Sequence, residues 1–340
     1  MTVADTDRLV AAEAGSADIV VGVDGSDESF AALRWALREA ALADCGVNAV
    51  FGWTHSWDAG SKPDSDDAWN QMRHRLADQL RQWVEAASEN IDFDPTRLRL
   101  TSVRASGTQA LLQLGADARQ IVVGRRSLGR VARWFTGSLS ASLAESAEVP
   151  VTVVRIADGE EERVEDDIAE ALAPGAHASR RRPRSAAAAS SDAAGQHADG
   201  ARRPVAVGVD GSDSSLNALR FAIAEARLHQ VPLHVLFCWQ LKDLGVIAGY
   251  ENAIAPLEAG EKRASELLDD LMATVDVPHD LDTSLHVFHI SAAKGLISAS
   301  RYASHLVVGS RGLNGMDAHF LGSVSRQIVN FAECTVTVVH

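Results

Sequence analysis

Val21-Gly22-Val23-Asp24-Gly25-Ser26-Asp27 returns far along the chain as Val207-Gly208-Val209-Asp210-Gly211-Ser212-Asp213. The likeness spreads outward from this stretch. Ala32-Leu33-Arg34 matches Ala218-Leu219-Arg220, Glu39-Ala40 matches Glu225-Ala226, and Trp53 matches Trp239 without a gap. Downstream, Val122-Val123-Gly124 matches Val307-Val308-Gly309, and Gly137-Ser138 matches Gly322-Ser323. Solenoid repeats have periods of roughly 20 to 50 residues, so a duplication this long is one whole domain copied.

Within each copy, strands and helices alternate. Ile19 to Val23 is a continuous apolar run bounded by turn residues, which suits a strand buried on both faces. Asp27 to Ala43 carries Leu33, Ala36, Leu37 and Ala40 at helical spacing, with Ser26 or Asp27 available as its cap. Val47 to Trp53 is a second strand, and Trp69, Met72, Leu76, Leu80, Trp83 and Ala87 mark the apolar stripe of a second helix. A third strand at Arg97 to Val103, a short helix at Thr108 to Leu114, a fourth strand at Gln120 to Val123, a helix opened by Gly137-Ser138 and a fifth strand at Pro150 to Arg155 complete the copy. Strands joined by helical crossovers give parallel sheets with helices on both faces. The expected fold is α/β: two Rossmann-like, doubly wound domains, each a five-stranded parallel sheet.

These domains are expected over 18–156 and 204–340, with a flexible tail at 1–17. Residues 157–203 run from acidic (Glu160-Glu161-Glu162) through an arginine cluster (Arg180 to Arg184) to an Ala, Ser, Asp and Gly tract. Such a segment has too few large apolar side chains to offset its ordering entropy and reads as a disordered linker.

Composition narrows the function classes. The 340 residues hold 32 Lys and Arg against 46 Asp and Glu, a formal net charge of -14, which argues against nonspecific nucleic-acid binding. Cys45, Cys238 and Cys334 are isolated, without a Cys-x-x-Cys pair, which points to a reducing, cytoplasmic compartment. No run is long and apolar enough for a membrane span. His286 and His289, three apart on an expected strand, point to opposite faces and make a poor metal pair.

In doubly wound sheets, ligands sit beyond the carboxyl ends of the strands, where strand order reverses. Asp24 and Asp210 follow the first strand of each copy, at the rim of that crevice. Two readings stand side by side: an acceptor for ribose hydroxyls or an exocyclic amine, or an aspartate that caps the following helix. After the fourth strand of the second copy, Gly309-Ser310-Arg311-Gly312 is followed, after nine intervening residues, by Gly322-Ser323-Val324-Ser325 at a helix start. Glycines let the backbone come close to a ligand, and free amides at a helix start attract anionic oxygens, to which the Ser323 and Ser325 hydroxyls can add donors. This is a phosphate cradle without a Walker lysine.

At these residues the chain resembles the universal stress protein family in its tandem form, over nearly all of both copies. The ATP-binding members carry Gly-x-x-Gly, nine residues, then Gly-Ser/Thr, which Gly309, Gly312, Gly322 and Ser323 match. The resemblance implies ATP, with Mg2+ on its phosphates, as ligand. It also implies Asp24 and Asp210 at the ribose or adenine end, and Gly52 and Cys238 against the base. The first copy keeps Gly124, Gly137 and Ser138 but has Ser127 at the second glycine position, in a loop made basic by Arg125 and Arg126. The second site is therefore expected to be the competent one. The family also implies a stress-response or signalling role, an intramolecular pseudo-dimer through the fifth strands, whose edges need cover, and a homodimer of chains. A slow ATPase or phosphotransferase, and an adaptor that has abandoned nucleotide, are the alternative functions.

Overall fold

The structure is a computed structural model, and it describes residues 3–6 (backbone only), 18–54, 65–125, 139–156, 203–251, 255–312 and 321–340. In chain order the first half contains β1 (Val3–Thr6), β2 (Ile19–Gly22), α1 (Asp27–Ala43), β3 (Val47–Gly52), α2 (Asp66–Ser88), β4 (Leu98–Val103), α3 (Gly107–Leu114), β5 (Gln120–Gly124), α4 (Leu139–Ser146) and β6 (Val151–Val154). The second half contains β7 (Val205–Gly208), α5 (Asp213–His229), β8 (Leu233–Cys238), α6 (Leu257–Met272), β9 (Thr283–Phe288), α7 (Ala292–Ala299), β10 (His305–Gly309), α8 (Ser323–Phe331) and β11 (Thr335–Val339).

Local chemistry explains why the first helix of each half starts where it does. The Ser26 hydroxyl accepts from the Ser29 amide at 3.2 Å, and Ser212 accepts from Ser215 at 3.3 Å, so each helix has an N-cap serine one residue after a glycine turn. Both helices end on a left-handed residue, Asp44 and Gln230, each with φ 53°. Leu33 and Leu37 of α1 are fully buried, and burial of such a side chain stabilises by about 1.5 to 3 kcal/mol. In α2 the buried stripe is Met72, Leu76, Leu80, Val84 and Ala87, with Trp69 and Trp83 flanking it.

The eleven strands of the described residues form one sheet in the order β1-β4-β3-β2-β5-β6-β11-β10-β7-β8-β9. Each half is therefore a parallel, doubly wound sheet whose own strands run third, second, first, fourth, fifth. The order reverses between β2 and β5 in one half and between β7 and β10 in the other, which fixes the two crevices. The fifth strands meet antiparallel, with Thr152 opposite Thr337. One core face runs continuously across this seam, from Leu111 and Leu143 in the first half to Leu296 and Ile328 in the second. On the opposite face α1 with α2, and α5 with α6, cover separate cores.

The N-terminal segment departs from the expected loose tail. Val3–Thr6 adds a sixth, parallel strand to the first half, paired with Leu100–Val103. Without it that edge of β4 would present unpaired backbone groups, and an extended four-residue run satisfies them. The rest of 1–17, and 157–202 of the expected linker, lie outside the described residues.

Candidate nucleotide crevice

The second crevice is built by three backbone segments. At the end of β7, Asp210 Oδ1 accepts from the Ser212 amide at 3.0 Å and the Ser212 hydroxyl at 2.6 Å. The aspartate thus holds the N-cap serine and does not cap the helix itself, and Asp24 does the same for Ser26. The other oxygen of Asp210 is turned across the crevice: a Cβ placed on Gly312 would lie 2.5 Å from Asp210 Oδ2. A side chain on Gly312 would push this carboxylate aside.

Gly309 serves a different purpose. A Cβ there would meet the backbone of Ser214 at 2.8 Å, so this glycine lets the end of β10 press on the first turn of α5. Gly124 does the same against Glu28, where the built Cβ would stand 2.2 Å from the backbone oxygen. The Ser214 hydroxyl donates to the Arg311 carbonyl at 2.5 Å, locking the loop to α5.

Several amides of the cradle are committed to holding its shape. The Ser310 amide donates to Val339 O at 2.7 Å, and the Gly322 amide to Ser310 O at 2.8 Å. The Arg311 amide reaches Ser214 Oγ at 3.4 Å. The helix beyond is different, because no side chain among the described residues caps the start of α8. The opening amides of a helix have no intrahelical acceptor, so Ser323 and Val324 turn donors outward from its first turn. The Val324 side chain packs inward on the core.

Two expected donors are redirected. The Ser325 hydroxyl is buried and donates to Gly309 O at 2.6 Å, so it braces the loop instead of facing a ligand. Arg125, expected to attract phosphate at the first crevice, reaches over the seam: its Nη1 donates to Ala332 O at 2.8 Å and Val329 O at 3.3 Å. Arg155 donates to the same Ala332 carbonyl at 3.0 Å. The carbonyls that end α8 carry the negative pole of the helix, which draws both guanidinium groups there.

Gly52 and Cys238, the second-strand positions, are faced by protein. A Cβ on Gly52 would lie 3.0 Å from Gly107 Cα, and a Cβ on Gly295 would lie 2.6 Å from Cys238 Sγ, so α3 and α7 press on these two positions. Burial pushes the Cys238 thiol up to about 12, and all three cysteines are free thiols. His286 does not face His289: its Nε2 lies 2.9 Å from His234 Nδ1 across β8 and β9, while His289 rests on Trp239 with ring centres 4.6 Å apart. Arg126, Ser127, Gly137 and Ser138 lie outside the described residues.

The first crevice differs at its mouth. A Cβ on Gly25 would strike Trp83 Cζ2 at 2.5 Å, so the indole lies on the turn that follows Asp24. At Gly211, its counterpart, nothing among the described residues comes within 4 Å.

Comparison with known proteins agrees with this architecture. The profile described as the universal stress protein family matches residues 17–155 and 201–340. A universal stress protein of Mycolicibacterium smegmatis is 29% identical over 330 residues, covering 95% of this chain and 96% of that one. One from Mycobacterium tuberculosis is 28% identical over 331 residues, covering 96% and 97%. Among solved structures, a universal stress protein from Archaeoglobus fulgidus superposes with a TM-score of 0.54 at 15% identity, covering 95% of this chain and 96% of that chain. A putative one from Pseudomonas aeruginosa gives 0.53 at 15% identity, with 95% and 93% covered. Among the described residues no helix is long and apolar enough to cross a membrane. With the family's profile matched twice and two doubly wound sheets joined at their fifth strands, the chain belongs to the universal stress protein family, as a tandem member.

Proposed function

We propose that this chain binds an adenine nucleotide, ATP with Mg2+ on its phosphates, in the second crevice, and that occupancy changes what the protein offers to partners during stress. One observation carries the reading: Asp210 Oδ2 stands where a side chain at Gly312 would crowd it, beside a helix start that no side chain among the described residues caps. A carboxylate, a bare backbone and outward amides are what a ribose and a polyphosphate require. Asp210 would accept from the sugar hydroxyls or the exocyclic amine. The amides of Gly312, Ser323 and Val324 would donate to phosphate oxygens, with the Arg311 charge beside them. Mg2+ would supply neutralising charge on the phosphates.

Trp83 over Gly25, and Arg125 engaged at the end of α8, favour the second crevice over the first. The domains are taken as 18–156 and 204–340, and the antiparallel seam supports an intramolecular pseudo-dimer. Three free thiols support a reducing, cytoplasmic setting.

The test is thermal melting of the full chain with and without Mg2+ and ATP. A ligand at about a thousand times its dissociation constant stabilises the fold by roughly 4 kcal/mol, which melting resolves. A rise with ATP is expected; an unchanged transition at millimolar ATP overturns the reading. Phosphate release measured on the same samples separates a binder from a slow ATPase.

A further inference from the structure

On the face opposite the continuous core, α1 and α5 bring Glu39 and Glu225 together at the seam, with side chains 1% and 0% exposed. His229 Nε2 lies 2.8 Å from Glu39 Oε2 and 3.8 Å from Glu225 Oε2. From the sheet beneath, His305 Nδ1 stands 3.8 Å from Glu225 Oε2. Glu39 Oε1 and both oxygens of Glu225 are buried, and the two carboxyls face each other with no other hydrogen-bond donor on those atoms. Buried carboxylates without partners are costly unless a cation or a proton joins them.

A hydrogen-bond chain fixes what His305 presents. Gln120 Oε1 can only accept, so the Thr152 hydroxyl donates to it at 2.7 Å. Thr152 Oγ1 then accepts from Thr337 Oγ1, also at 2.7 Å. With its proton committed, Thr337 Oγ1 accepts from His305 Nε2 at 2.7 Å. The ring proton therefore sits on Nε2, and Nδ1 faces Glu225 as a lone pair. The 3.8 Å between Nδ1 and Glu225 Oε2 is too long for a hydrogen bond.

That spacing suits an ion between them. Zinc binds imidazole nitrogen and carboxylate oxygen at about 2.0 to 2.2 Å, so tetrahedral donors stand roughly 3.4 Å apart. The separations of 2.8 and 3.8 Å bracket this value, and the ligand atoms of Glu39, Glu225 and His229 all lie within 4.8 Å of one another. We propose that Glu39, Glu225 and His229, backed by His305, form a site for a divalent first-row transition ion of the zinc class, placed on the seam between the two halves. Imidazole with carboxylate favours such ions over Mg2+ or Ca2+, which take oxygen donors. The Thr337 hydroxyl plays the orienting part that ligating histidines need. The Arg119 charge lies close enough to favour the ionised form of Glu225. His229 is 32% exposed and gives the ion a way in. Its counterpart in the first copy is Ala43, so the duplicated chain carries this site once, where its halves touch.

The test uses the full chain, stripped with a chelator and equilibrated with Zn2+. Elemental analysis is expected to find a single tightly held zinc per chain, with a higher melting temperature than the stripped protein. Co2+ in its place is expected to give the visible absorption of a tetrahedral centre. Glu225→Gln, which keeps the volume, and His229→Ala, at a partly exposed position, should each lower zinc occupancy at least tenfold, whereas exposed His74→Ala should leave it unchanged. Wild-type protein that retains no zinc at micromolar free ion overturns the proposal. So does a His229→Ala variant that keeps both the zinc and the cobalt spectrum.

Discussion

Gly25 and Gly211 hold the same place in the duplicated motif and nearly the same backbone angle, φ 84° and 88°. Yet one lies under the Trp83 indole, while nothing among the described residues comes within 4 Å of the side-chain position at the other. The motif itself, strand, aspartate, glycine turn and serine cap, survives in both halves because it starts a helix in both. Its second use, exposing a carboxylate rim to a ligand, needs the neighbourhood as well, and the neighbourhood has diverged. Conserved turn geometry between the copies is thus evidence for a shared fold, while the open or covered state of the turn is evidence about the site.

The largest expected effect comes from filling these two glycines. Gly25→Ala adds a clash with Trp83 to the strain of a positive φ, and should destabilise the protein by about 3 kcal/mol in urea unfolding. Gly211→Ala bears only the strain and should lose about 1 kcal/mol. Equal losses would mean that the indole does not set the two turns apart. Next in size, Gly312→Ser copies into the second half the residue that the first has at Ser127, and its Cβ would crowd Asp210 Oδ2. Calorimetric titration with ATP should show affinity at least tenfold weaker, about 1.4 kcal/mol. Undiminished affinity would show that the second glycine is not what distinguishes the halves.

A smaller change is expected from Arg125→Ala. It removes donors from the end of α8 and should cost about 1 kcal/mol of stability while leaving ATP affinity unchanged. A matching loss of affinity would return Arg125 to the phosphate role. A pH-dependent effect concerns His340, at the far end of β11. Burial first, and the Arg311 charge second, lower its pKa from 6.5 to about 4. A depressed folded value means that this contribution to stability is present above pH 6.5 and is lost as pH falls towards 4. His340→Gln should therefore flatten the acid limb of a stability profile measured from pH 7 to 4.

The alternation of elements was readable because each signal was local. Ser26 and Ser212 cap what they precede, and the buried stripe of α1 follows helical spacing. The crevice position followed from strand order, which alternation with helical crossovers already implies. What escaped were relations that exist only after the halves meet. Arg125 is drawn to carbonyls at the end of α8, more than two hundred residues away in sequence. Glu39 and Glu225 were visible as a matched pair of acids beside an apolar stripe, but nothing in either helix says that their burial is mutual. In the cradle, sequence marked the glycines without separating their tasks: Gly312 clears a carboxylate, whereas Gly309 lets a strand press on a helix. Ser325 carried the composition of a ligand donor and is instead a strut.

Because β6 runs against β11, all parallel strands of one half point away from those of the other. The mouths after β5 and β10 therefore open on opposite rims of a single board. A visitor at one rim cannot touch a visitor at the other, and any conversation between them must cross the seam where the two halves pack.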